Sequence, residues 1–71
     1  MTREFEEQKD PCHHARKIRQ MLSDLAEHAR QDAEKVDDPK AQVLFETTAE
    51  VLQGLATAYQ HYETGAEKAM R

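Results

Sequence analysis

The chain of 71 residues has no tryptophan, one cysteine, two glycines and two prolines. Each shortage excludes something. A single cysteine, Cys12, cannot form an intrachain disulfide. Runs of alternating β-branched residues are missing, which removes the usual signature of strands. No apolar run approaches the ~20 residues needed to span a bilayer, so no membrane partner is expected. The first ten residues, MTREFEEQKD, hold no apolar core segment and do not read as a signal peptide, so the cytoplasm is the expected location. Positive charge is also scarce. The net charge is −4 with histidines neutral, and the short basic cluster Arg16, Lys17 and Arg19 is surrounded by acids. Nucleic-acid binders carry a concentrated positive face, so DNA and RNA are not expected partners. Gly-rich phosphate loops, HExxH, nucleophile elbows and EF-hand loops are absent. The expectation is a protein that is not an enzyme and uses no cofactor.

What the chain does hold is helix-forming. Ala, Glu, Gln, Arg, Lys and Leu dominate, and the fold class is all-α. Asp-Pro occurs twice, at Asp10-Pro11 and Asp38-Pro39. A residue before proline is pushed out of helical geometry, which suits an N-cap. Proline then suits the first helical position, where its missing N–H has no intrahelical partner to lose. The reading is a charged, mobile tail over 1–9 carrying Phe5, then a helical hairpin over 10–71. Its first helix covers about 11–36 and its second about 39–64 or beyond. Gly65 could end the second helix near Thr64, but Ala66 and Ala69 keep its spacing.

Apolar spacing supports two helices and places a break between them. The first stripe runs Ala15, Ile18, Leu22, Leu25, Ala29, Asp32 or Ala33, Val36. The second runs Ala41, Phe45, Thr48, Leu52, Leu55, Tyr59, Tyr62, Ala66, Ala69. Both alternate steps of three and four. From Val36 to Ala41 is five steps, which at ~100° each leaves the second stripe ~140° out of phase with the first. A turn at Asp37-Asp38 cures this by letting the stripes face each other in an antiparallel hairpin. A long helix kinked at Pro39 is the alternative.

The apolar surface is wider than one neighbouring helix can cover. Leu44, Val51 and Ala58 flank the second stripe on one side, Ala49 and Ala56 on the other. Met21 flanks the first on one side, Ala26 and Ala33 on the other. A wide face implies further helices. The expected assembly is a homodimer forming a four-helix bundle, with Leu44, Val51, Leu52, Leu55 and Tyr59 central to self-association. Docking onto a different protein is the alternative.

The stretch DPCHH, residues 10–14, is the chemically richest in the chain. In a helix, Cys12, His13 and His14 fan over ~200° and cannot converge on one ion. None has a ligand residue at i+3 or i+4. A metal or redox site would need help from the second helix or a second subunit, and Cys12, His14 and Glu63 are the candidates. Cys12 lies in a first helical turn, where the helix dipole favours an anion, and so is also a candidate reactive thiol; an ordinary cysteine at the edge of the core is the plainer reading. His14, Met21 and His28 share a flank at sevenfold spacing. Glu46 and Glu50 form an i, i+4 carboxylate pair, read as a solvated acidic face, because the Glu-x-x-His of helical di-iron proteins does not occur.

Overall fold

Both Asp-Pro pairs open helices. In the computed structural model, which describes residues 10–69 with side chains as far as Gly65, helix α1 spans Pro11–Lys35 and helix α2 spans Pro39–Ala69. Asp10 is extended, at φ −68° and ψ 118°, and its Oδ1 accepts a hydrogen bond from the Cys12 amide at 3.0 Å. Asp38 repeats the device, its Oδ1 accepting from the Lys40 amide at 3.1 Å. Each carboxylate satisfies an amide that has no carbonyl behind it and lies where the helix dipole favours negative charge.

The chain reverses over Val36, Asp37 and Asp38, so α1 and α2 form an antiparallel hairpin and no helix runs through Pro39. Val36 ends α1 in an extended conformation, at φ −95° and ψ 151°. No described residue has a positive φ, so the reversal needs no glycine. The Gln42 side-chain amide donates to the Val36 carbonyl at 2.8 Å, pairing a polar group the turn would otherwise leave open. Gly65 does not stop α2, which continues to Ala69. The expected tail, with Phe5, lies outside the described residues, as do the side chains of Ala66 and Ala69.

The two helices meet along a row of alanines. Ala26 and Ala33 on α1 are 0% and 3% exposed; Ala49 and Ala56 on α2 are 0% and 3% exposed. Both pairs are seven residues apart, the repeat of a seam between two helices. Ala15 extends the row on α1, and Glu63 extends it on α2. Half-buried Leu22 and Ala29 lie between the α1 alanines; Phe45, Leu52 and Tyr59 flank those of α2. No large side chain among the described residues is fully buried.

This seam is turned from the expected one. Ile18, Leu25, Leu55 and Tyr62, read as stripe residues between the helices, are 41%, 51%, 46% and 49% exposed. The alanines, read as flanks, take their place. A methyl side chain lets two backbones approach closely, and interaxial distance depends on the side chains at the contact. The larger residues would hold the helices apart, and they lie instead along one edge of the contact.

Candidate functional site

Helical phase shows where the displaced apolar residues go. Counted from Ala26 at ~100° per residue, Ile18, Met21 and Leu25 lie about 80–140° round α1, all in one sense. Counted from Ala49, Leu44, Val51, Leu55 and Tyr62 lie about 120–160° round α2 in that same sense. Because the helices are antiparallel, equal senses of rotation put both sets on one face of the hairpin. The opposite sense leads to Arg30 and Glu34 on α1 and to Glu46 and Glu50 on α2. These four do meet, lining one surface hollow. The hairpin therefore has a polar face and an apolar face, with the alanine seam between.

Each helix crosses the apolar face as a second regular row. On α2 the row is Ala41, Leu44, Thr48, Val51, Leu55, Ala58 and Tyr62, in alternating steps of three and four, without a charged residue. On α1 it is His14, Ile18, Met21, Leu25, His28 and Asp32, in steps of four and three. Leu44, Val51 and Met21 are 61%, 57% and 69% exposed. Among the expected self-association residues, Leu44, Val51 and Leu55 lie on this face, whereas Leu52 and Tyr59 are half-buried beside the alanine seam. Val43, 63% exposed, turns toward the polar side and is not part of the face. At the turn end of the face, His28 Nε2 lies 3.1 Å from Asp32 Oδ2, one helical turn along.

At the other end of the seam, where an alanine would continue the α2 row, stands Glu63, 8% exposed. Arg19, seven residues before Ala26, donates from Nε to Glu63 Oε2 at 2.8 Å. Arg16 Nε lies 3.5 Å from Oε1. A carboxylate out of water is costly unless paired, and two guanidinium groups supply the pairing. The Arg19 hydrogen bond, with the charges of Arg19 and then Arg16, holds the Glu63 carboxyl below its usual value against the opposing push of burial. The sequence did contain a signal for this pair. Arg19 and Glu63 each occupy the next sevenfold position of an alanine row.

The residues of DPCHH do not converge with Glu63. Cys12 is a half-buried free thiol on the seam side of α1, while His14 is exposed on the apolar row, about 160° round. The rings of His13 and His14 meet edge to face, with centroids 5.7 Å apart. Glu63 is already engaged by the two arginines. Among the described residues, no group of three or more His, Cys, Asp and Glu side chains is placed to hold a metal ion. Nor is any described helix long and apolar enough to cross a membrane.

Fold and site together define a class: a two-helix, alanine-seamed hairpin with one apolar face. Comparison with family models, curated proteins and solved structures found no match to this chain.

Proposed function

We propose that this protein works by self-association, without catalysis, and that its apolar face closes against a second copy to form a four-helix bundle. One observation carries the reading. Among the described residues the hairpin's buried apolar core is five alanines, while seven larger apolar side chains stand on a single face about half exposed. A protein of this size hides little surface even when well packed. Among the described residues no large side chain is fully buried, so the interior they form is thin and their main apolar resource is on the outside.

The magnitudes are of the size a dimer needs. Moving a large apolar side chain from water to full burial is worth ~2 kcal/mol. Seven such side chains, each about half exposed, give roughly 7 kcal/mol per copy and ~14 kcal/mol for a pair. Association costs ~4–15 kcal/mol in lost freedom. Both helices contribute rows with the spacing of a helical seam, as a four-helix core requires.

Sedimentation equilibrium with matched circular dichroism tests the proposal. A helical species of twice the chain mass at micromolar concentration is expected. A cooperatively folded monomer under those conditions overturns it and leaves docking onto a different protein as the use of the face.

A further inference from the structure

We infer that each copy takes up a proton at His28 as two copies close together, so that self-association tightens as pH falls through the neutral range. The inference rests on the self-association proposed above and adds its regulation. The pair His28–Asp32 cannot stay outside the contact. Both residues continue the α1 row beyond Leu25. Lys35 and Pro39 end the two helices at the turn and so set their relative heights. Leu44 then comes level with position 30, midway between His28 and Asp32 and on the same face. Leu25 and Leu44 are 51% and 61% exposed. A second copy that covers both also covers the pair.

Covering the pair removes the water that the Asp32 carboxylate still holds. A carboxylate out of water needs a cation. Neither row carries a lysine or an arginine, so the rows of a second copy supply none, however that copy is turned. The cation has to be a histidine, and His28 Nε2 already lies 3.1 Å from Asp32 Oδ2. With a neutral imidazole, closure traps one uncompensated negative charge per copy. With an imidazolium, it traps a neutral pair. Histidine changes charge between about pH 5 and 8, so the protonated copy closes more readily. Linkage makes the effect reciprocal, and closure therefore binds the proton.

The other charged groups around the pair do not replace His28. On α1, Asp24 lies one turn before His28 and accepts from the Gln20 side-chain amide at 3.1 Å. Lys35 is exposed, ~60° farther round toward the outer edge than Asp32. On this side α2 packs Ala41, Leu44 and Thr48, none of them titratable, and its Lys40 is exposed at the outer edge. In the turn, Asp37 is exposed and Asp38 caps α2 through the Lys40 amide. His14 stands on the same row but ~21 Å away along α1.

Sedimentation equilibrium at about pH 6 and about pH 8 tests the linkage, with circular dichroism confirming equal helix at both. The dimer dissociation constant is expected to be ~tenfold or more lower at the acid end, because two sites each favour the charged imidazole. His28→Gln keeps a donor for Asp32 but has no charge to gain, so the difference between the two conditions should vanish. Asp32→Asn leaves a buried imidazolium without its carboxylate, so the tightening at low pH should vanish or reverse. Equal association of the parent at both pH values overturns the inference. So does a tightening at low pH that survives either substitution. A parent that is a folded monomer at both pH values means instead that self-association itself has failed. The two failures are thus read separately.

Discussion

Replacing Ala49 by leucine inserts three carbons where the two helix backbones come closest. Ala49 is 0% exposed, and Ala26 opposite is also 0% exposed, so no solvent-filled room exists on either side. Two effects compete. Full burial of the added carbons would contribute up to ~2 kcal/mol if the seam could open freely. Forcing extra methylenes into a closed contact costs ~1–3 kcal/mol through off-rotamer side chains and displaced backbone. The seam cannot open locally, because Gln42 ties α2 to the turn and Arg19 ties Glu63 to α1 at the far end. Steric cost should win. At ~4–8 °C per kcal/mol for a domain of this size, melting should fall by roughly 5–20 °C. The assay is thermal circular dichroism at one fixed chain concentration, since the proposed self-association would make melting depend on concentration. Thr47→Leu, at an exposed position, is the control and should stay within ~0.5 kcal/mol of the parent. An Ala49→Leu protein that melts at or above the parent temperature would refute the alanine seam.

Leu52→Asp and Leu55→Asp should part company. Leu52, half-buried beside the seam, should unfold the hairpin at every concentration when it becomes a carboxylate. Leu55→Asp, on the apolar face, should first halve the mass seen by light scattering; unchanged mass at micromolar concentration would count against the interface. Gly54→Ala should stabilise the fold by ~1 kcal/mol and raise its melting temperature, since alanine is the better helix former and a Cβ there would meet nothing within 4 Å. Glu63→Gln should show a pH-dependent loss. The folded carboxyl lies below its usual 4.5, so its stabilisation is complete above that pH and is lost as pH falls through the lower folded value. Melting of Glu63→Gln and parent should therefore differ at pH 7 and converge as pH falls below 4.5 and through the folded value. A constant offset across that range would show that the Arg19 ion pair contributes nothing.

The two helices and the break between them were legible because they rest on local chemistry. An aspartate before a proline caps a helix through atoms two residues apart, whatever lies elsewhere in the chain. The slip in phase between Val36 and Ala41 is likewise a property of the helix repeat. The facing of each helix was less legible. Alternating steps of three and four describe both the row through Ala26 and the row through Leu25, and both the row through Ala49 and the row through Leu55. Hydropathy favours the larger side chains, so the expected stripe runs between the two rows, drawing Leu22 and Leu52 from one and Leu25 and Leu55 from the other.

By itself, the sequence determined an all-α chain with two capped helices, a reversal at Asp37-Asp38 and more apolar surface than one helical contact uses. The tertiary structure decided which row faces inward, and it chose the alanines because closeness of backbones depends on what stands between them. It also decided that Glu63 belongs with Arg19, a pairing across 44 residues of chain that no local rule reaches. Helix capping and helical phase act over a few residues, whereas the fit between two surfaces exists only once both are in place.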